Sequence, residues 1–129
     1  MKQYIKLFTV LAIIGTLAGC ARTAPIARIN STVSAGHTQV EVKNAILKAG
    51  AQRQWIMSEI KPGVIKARQQ SSKHEAEVQI TYTATGYDIK YDSSLNLKAS
   101  GGKIHKTYNR WVYNLDKDIQ VQLSTSTHM

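Results

Sequence analysis

Residues 75–92 read EAEVQITYTATGYDIKYD, and this stretch decides the fold of the chain. Apolar and polar residues alternate strictly over 76–82 and again over 87–91. Such alternation is typical of strands with one buried face and one solvated face. A threonine and a glycine at 85–86 separate the two runs, as in a turn. The stretch therefore predicts two antiparallel strands joined by a short connection.

Two earlier runs extend this pattern into a larger sheet. An apolar run begins at Trp55 and reaches Ile60, and the pair Pro62-Gly63 that follows is a strong turn signal. Residues 64–68 are then predicted to be extended again. Together with the two later strands, these runs predict a four-stranded antiparallel meander.

A helix is predicted on each side of the meander. The first covers about 39–52, because Thr38 and Glu41 have the spacing of a capping box. Gly50 marks either its end or a close packing point. The apolar residues of the last helix share one face at helical spacing. They are Ile104, Tyr108, Trp111, Val112, Leu115 and Ile119. The predicted fold is α+β, a two-layer sandwich with both helices on one sheet face.

The composition fits one small globular domain. The chain has 129 residues, of which 43% are hydrophobic and 19% charged, which excludes a disordered tail and a collagen-like fibre. A single cysteine excludes an intramolecular disulfide and a cysteine-based zinc cluster. Lysine and arginine total 17 against 8 aspartate and glutamate, so the net charge is +9.

The N-terminal residues predict export. Lys2 and Lys6 supply a basic start, and residues 7–18 form an uncharged run, LFTVLAIIGTLA. As a helix this run would be about 18 Å long, too short for a hydrocarbon core of about 30 Å. A basic start followed by a short apolar run is the pattern of a secretory signal peptide.

Residues 17–20 read LAGC and resemble the lipobox of bacterial lipoproteins. The resemblance implies that residues 1–19 are removed as a signal peptide and that fatty acyl chains are attached at Cys20. In Gram-negative bacteria, an aspartate directly after the lipidated cysteine retains a lipoprotein in the inner membrane. Here that position is Ala21. In such a host the resemblance therefore implies a lipid anchor in the outer membrane, facing the periplasm. The alternative is a buried apolar helix with an incidental cysteine.

Three further parts follow the signal peptide. Residues 20–37, rich in small and polar residues, are predicted to be the lipidated cysteine and a flexible tether that spans roughly 20–25 Å. Residues 38–124 are predicted to form the α+β domain, and residues 125–129 a disordered tail.

Residues 80–97 and 104–115 carry a second resemblance, through their pattern of tyrosines, asparagines and aliphatic residues. They resemble a small domain that recurs in uncharacterised bacterial secreted proteins and lipoproteins. This resemblance implies a one-domain organisation and no particular activity.

The histidines do not have the spacing of a metal site. His37, His74, His105 and His128 are not separated by three or four residues, and no His-Glu-x-x-His element occurs. No metal or other cofactor is predicted. His105 is expected to be a partly buried, hydrogen-bonding residue of the last helix.

Carboxylates on the sheet raise the possibility of a glycan hydrolase, since paired carboxylates about 5–9 Å apart can perform glycoside chemistry. These residues are Glu75, Glu77, Asp88 and Asp92. Basic residues expected on the same face would neutralise them rather than raise their pKa values. The basic residues are Lys66, Arg68 and Lys90. An ion-paired surface and no enzymatic activity are therefore predicted. A small-ligand-binding or cell-wall hydrolase module is the alternative.

The last helix supplies the predicted interaction surface. Tyr113 lies off the apolar stripe, and tyrosine combines apolar area with a hydrogen-bonding tip. Arg110, Asn109 and Asn114 complete the surface, with helix capping or bracing as the alternative for the asparagines. The expected role is a non-catalytic interaction or structural module. Its expected partners are the membrane, through the lipid on Cys20, and a periplasmic protein or an anionic envelope component. Export argues against nucleic acid.

Overall fold

The computed structural model describes residues 22–126. The predicted signal peptide, Cys20 and His128 lie outside the described residues. Within the described range, neither helix is long and apolar enough to cross a membrane.

The described residues form two antiparallel sheets and two helices. The larger sheet has five strands in the order β2-β6-β5-β4-β3, and β1 pairs with β7 in a separate two-stranded sheet. The elements in chain order are β1 (Thr23–Pro25), β2 (Ile29–Thr32), α1 (Gln39–Gln52), β3 (Ile56–Lys61), β4 (Val64–Gln70), β5 (Glu75–Tyr82), β6 (Gly86–Leu95), β7 (Lys103–His105) and α2 (Lys106–Ser126).

The alternating stretch forms the centre of the larger sheet, as predicted. β5 and β6 pair in antiparallel register, with Ile80 opposite Ile89 and Tyr82 opposite Tyr87. Every second residue of β5 is buried, so the apolar set faces the core. The register shifts at Glu77 and Val78, which leaves Asp92 on β6 without a residue directly opposite.

The prediction of a four-stranded sheet missed one strand of the larger sheet and the whole two-stranded sheet. β2 adds a fifth strand beside β6, and β1 pairs with β7, so both strands lie in the stretch predicted to be a flexible tether. Ala27, Ile29 and Val33 are buried there, at 7%, 9% and 5% exposure. These strands are three and four residues long, too short for a visible alternation, and their partners lie more than 50 residues away in the sequence.

The first helix has the predicted boundaries. The Thr38 hydroxyl accepts the Glu41 backbone N–H at 3.1 Å, and the Glu41 carboxylate accepts the Thr38 N–H at 2.8 Å, so the capping box is confirmed. Gly50 is a close packing point rather than the helix end. A Cβ at this position would collide with the side chain of Met57.

The last helix starts later and ends later than predicted. Ile104 and His105 belong to β7, because residues 103–105 pair with β1, and α2 begins at Lys106. The helix runs to Ser126, into the stretch predicted to be a disordered tail. Most of the predicted stripe is buried, and Leu123 continues it by one turn at 6% exposure.

One hydrophobic core joins the helices to the larger sheet. It contains Val42 and Ile46 from α1, Leu115 and Ile119 from α2, and Ile80 from β5. All five are 0% exposed.

Candidate functional site

A groove opens where the end of α1 meets the second and third turns of α2. Its volume is about 370 Å³. We call it the helix-end groove, and its lining residues are Gln52, Arg53, Gln54, Trp55, Gln69, Arg110, Trp111 and Asn114. Both tryptophans of the chain belong to this set.

The end of α1 shapes one side of the groove. The Trp55 N–H donates to the Gly50 carbonyl at 2.9 Å, and the Gln54 N–H donates to the Ala51 carbonyl at 3.1 Å. These two bonds form a Schellman motif, in which Gln54 takes the left-handed conformation at φ 66°. The reversal turns the chain away from the helix axis and directs it into β3.

The two tryptophans have different surroundings. Trp55 is only 4% exposed and belongs to the core, so it forms the base of the helix-end groove. Trp111 is half-buried against the same core and keeps part of its ring accessible. An accessible indole offers a large apolar surface and an N–H donor to a ligand.

The two arginines of the groove also differ. The Arg53 guanidinium forms an ion pair with Asp118, which joins the end of α1 to α2. Arg110 is exposed and has no ion pair or side-chain hydrogen bond within residues 22–126. A free guanidinium is suited to two parallel hydrogen bonds with a carboxylate.

Gln69, which lines the groove, has an unsatisfied acceptor. Its Oε1 atom is buried and has no hydrogen-bond partner among the described residues. Because buried polar atoms are normally paired, this oxygen is exceptional, but a buried atom offers no accessible surface to a ligand in the groove. The group that suits an acidic ligand is the free guanidinium of Arg110.

The predicted interaction surface divides into three parts. Arg110 and Asn114 line the helix-end groove. Tyr113 is 56% exposed but does not line the groove. Asn109 is buried, and its side chain accepts the Ala27 N–H and donates to the Pro25 carbonyl, each at 2.9 Å. It has the bracing role considered as the alternative.

Of the eight groove residues, the sequence predicted only Arg110 and Asn114 as part of a surface. Trp111 was assigned to the apolar stripe of the last helix. The other five come from the end of α1, the α1–β3 connection and β4, and no spacing along the chain relates them to α2. The only usable signal was that the chain has two tryptophans, since each predicts a large surface that must be buried or used.

Three of the four sheet carboxylates form ion pairs as predicted, whereas Glu75 accepts a hydrogen bond from Gln70. Of the three predicted cations only Lys66 takes part, since Arg68 and Lys90 form no ion pair within residues 22–126. The Lys66 ammonium lies 3.6 Å from Glu77 and 3.3 Å from Asp92. The hydrogen bond and charge of Asp92 raise the pKa of Lys66, with a smaller contribution from Glu77. Asp88 pairs with Arg28 at 3.3 Å. Two carboxylates that share one ammonium are both engaged in ion pairs, which is unlike a free acid–base pair.

Two of the histidines come together through the fold rather than through sequence spacing. The rings of His74 and His105 stack with centroids 5.8 Å apart. His74 Nδ1 donates to the Asn96 carbonyl at 2.9 Å, and His105 Nδ1 accepts the Thr107 N–H at 3.1 Å. His105 is half-buried and hydrogen-bonded as predicted, but it lies in β7. Residues 22–126 contain no group of three or more metal-ligating acidic, histidine or cysteine side chains.

A partly buried polar network stabilises the contact between α2 and the sheet. The Tyr87 hydroxyl donates to Asp116 Oδ1 at 2.5 Å, and the Ser31 hydroxyl bonds the same oxygen at 3.2 Å. Burial, followed by the bond to Asp116, raises the pKa of Tyr87, so its hydroxyl stays protonated and keeps donating. This network joins β2, β6 and α2 and has a structural role.

Comparison with known proteins adds no further identification. No family model matches the chain, and no curated protein matches it.

Proposed function

We propose that the chain is a lipid-anchored lipoprotein of the outer membrane whose domain is a non-catalytic binding module facing the periplasm. The basic start, the short apolar run and the LAGC motif support the anchor. The shared core supports a two-layer arrangement with both helices on one face of the sheet. That arrangement leaves the helix-end groove open at the junction of α1 and α2.

The helix-end groove is the binding surface in this proposal. The observation that carries it is an unpaired guanidinium, Arg110, beside the accessible ring of Trp111. A guanidinium binds a carboxylate, an indole face binds an apolar or sugar surface, and the amides of Gln54 and Asn114 supply hydrogen bonds. The ligand class that fits is an envelope component with free carboxylates and neutral polar groups, such as a peptidoglycan strand.

The alternative, a hydrolase that uses the sheet carboxylates, has less support. Its two best-placed groups, Glu77 and Asp92, share the ammonium of Lys66. Both carboxylates are thus engaged in ion pairs, whereas glycoside hydrolysis needs one carboxyl group that is free to donate a proton to the leaving group. Ligand binding without hydrolysis is therefore the function that the geometry favours.

Tryptophan fluorescence can test the groove directly, because both tryptophans line it. The probe is a soluble peptidoglycan fragment with free carboxylates, titrated against the intact chain. We expect a change in emission on binding and a loss of affinity of about 10-fold to 100-fold for Arg110→Gln, since a charged hydrogen bond is removed. Arg110 is exposed, so this substitution should leave the fold intact.

Lys117→Gln is the matched control, because Lys117 is an exposed cation of the same helix that does not line the groove. It should bind the fragment as the unsubstituted chain does. Fragments with amidated carboxylates should bind weakly to all three proteins. Equal affinities of the Arg110→Gln and Lys117→Gln variants would contradict the assignment of the groove.

A further inference from the structure

Most of the residues predicted to form a flexible tether are part of the fold, because β1 pairs with β7 and β2 with β6. The Arg22 carbonyl accepts the Lys106 N–H at 3.3 Å, and the Ile26 N–H donates to the Gly102 carbonyl at 3.0 Å. Cys20 lies two residues before Arg22, and two residues span at most about 7 Å. A lipid at Cys20 would therefore hold the domain against the headgroups instead of 20–25 Å above them.

The part of the domain nearest to that attachment point is basic. Five exposed cations lie there: one precedes β1, one lies in the turn before β5, one in the loop before β7, one in β7 and one at the start of α2. We call this set the basic end: Arg22, Lys73, Lys98, Lys103 and Lys106. None of the five forms an ion pair within residues 22–126.

Backbone and ring contacts join the segments of the basic end. The Asn96 side chain donates to the Lys73 carbonyl at 2.9 Å, which places the turn before β5 beside the end of β6. The His105 N–H donates to the Leu97 carbonyl at 2.8 Å, and the His74 ring stacks on that of His105. The five cations are therefore attached to segments that contact one another.

The sequence around four of these cations, Arg22, Lys98, Lys103 and Lys106, is also free of acidic residues. No aspartate or glutamate occurs between Asp92 and Asp116, or between Arg22 and Val40. The sheet carboxylates Glu77, Asp92 and Asp88 are paired with Lys66 and Arg28. Glu75, two residues after Lys73, accepts a hydrogen bond from the Gln70 side chain. The charge of the other four cations is therefore not neutralised by their own segments.

We propose that the basic end rests on anionic lipid headgroups of the membrane that holds the Cys20 lipid. This proposal depends on the lipid anchor proposed above. A basic residue close to an anionic bilayer favours the bound state by roughly fivefold. The short connection keeps Arg22 within a Debye length of the surface, about 8 Å at physiological salt, and the Lys106 N–H bonds the Arg22 carbonyl. The domain therefore has one preferred orientation on the membrane.

The experiment uses the mature lipidated protein on vesicles of phosphatidylglycerol and phosphatidylcholine. Because the chain has one cysteine and the lipid occupies it, a new cysteine can carry a single fluorophore. Ser100→Cys places the label on the exposed loop before β7. Ala35→Cys places it near the opposite end of the sheet, since the Val33 N–H bonds the Thr85 carbonyl in the β5–β6 turn. We expect vesicles to shield the Ser100 label from a water-soluble quencher and to leave the Ala35 label accessible.

Charge variants separate the basic end from the anchor itself. Replacing Lys98, Lys103 and Lys106 with glutamine should lower the ratio of domains that contact the headgroups to domains that do not by roughly 100-fold. The Ser100 label should then become accessible to the quencher. The matched control replaces three exposed, unpaired lysines elsewhere, Lys48, Lys61 and Lys90, and should leave the shielding unchanged. Vesicles of phosphatidylcholine alone should also leave the Ser100 label exposed.

Three results would overturn the inference. They are equal quenching of the two labels, shielding that survives the substitution of the three lysines at the basic end, and shielding that is the same on neutral vesicles. The mass of the protein before reconstitution separates these from failure of the anchor. A protein without lipid at Cys20 would contradict the proposed function itself and, with it, this inference.

Discussion

At the residue scale, His37 shows how a single ring can respond to pH. Its Nδ1 lies 2.9 Å from the Ser34 carbonyl oxygen, and its Nε2 lies 3.0 Å from the Leu123 carbonyl oxygen. Carbonyl oxygens only accept hydrogen bonds, so both contacts are satisfied together only when both ring nitrogens carry a proton. The ring thereby connects the segment before α1 to the last turns of α2.

This geometry raises the pKa of His37 above its ordinary value of 6.5, mainly through the bond to Ser34 and then through the bond to Leu123. A pKa that is higher in the folded state stabilises the protein fully below the unfolded value, and this stabilisation is lost as the pH rises through the folded value. We therefore expect the free energy of unfolding to decrease as the pH rises from about 6.5 through the higher pKa of His37 in the folded state. Chemical denaturation in a pH series measures this free energy.

His37→Gln should remove this part of the pH dependence, because a glutamine amide does not titrate. His74→Gln is the control, since His74 bonds only one carbonyl, that of Asn96. If the unsubstituted chain and the His37→Gln variant lose stability in parallel as the pH rises, the protonated ring has no such role.

At the element scale, Asn109 holds β1 to α2. Its side chain satisfies the Ala27 N–H and the Pro25 carbonyl, on both sides of Ile26. Asn109→Ala leaves a buried N–H without its partner, so we expect a loss of about 1–3 kcal/mol in the free energy of unfolding. Limited proteolysis should also cleave more rapidly near β1.

Asn44→Ala is the control for this prediction, because Asn44 is an exposed residue of α1. It should leave both the stability and the cleavage pattern nearly unchanged. A stability of Asn109→Ala equal to that of Asn44→Ala would mean that β1 is held by its pairing with β7 alone.

The elements that the sequence predicted are those whose signals are local. The capping box at Thr38 and Glu41 fixes the start of α1, and alternation identifies β5 and β6 without reference to the rest of the chain. β1 and β2 gave no such signal, because their stability comes from partners distant in the sequence. The start of α2 was misplaced for the same reason, since Ile104 fits the helical stripe but pairs with Ala24.

The candidate site was predictable to a smaller degree. Arg110 was predictable because it lies on the polar side of a strongly patterned helix. Asn114 was predicted as part of the same surface because its amide can form hydrogen bonds. Trp55 and Gln69 were not, because the packing of α1 and β4 against that helix brings them to the groove. The same packing determines that Asn109 is buried and that Tyr113 lies outside the groove.

At the scale of the whole molecule, three features have proposed roles: the lipid anchor, the basic end and the helix-end groove. Cys20 would carry the lipid, the basic end would face the headgroups, and the helix-end groove would bind a carboxylate-bearing ligand. Lys106 and Arg110 lie four residues apart on α2, so one helix links the basic end to the groove. The anchor and the basic end place the protein at a membrane surface, and this placement depends on the modification of one thiol.

The mass of the mature protein, extracted from the membranes of its own cell, tests that dependence most directly. The account predicts a chain that begins at Cys20, lacks residues 1–19 and carries a diacylglyceryl group on the thiol and an acyl chain on the new amino terminus. A chain that retains residues 1–19 and has a free Cys20 thiol would contradict it.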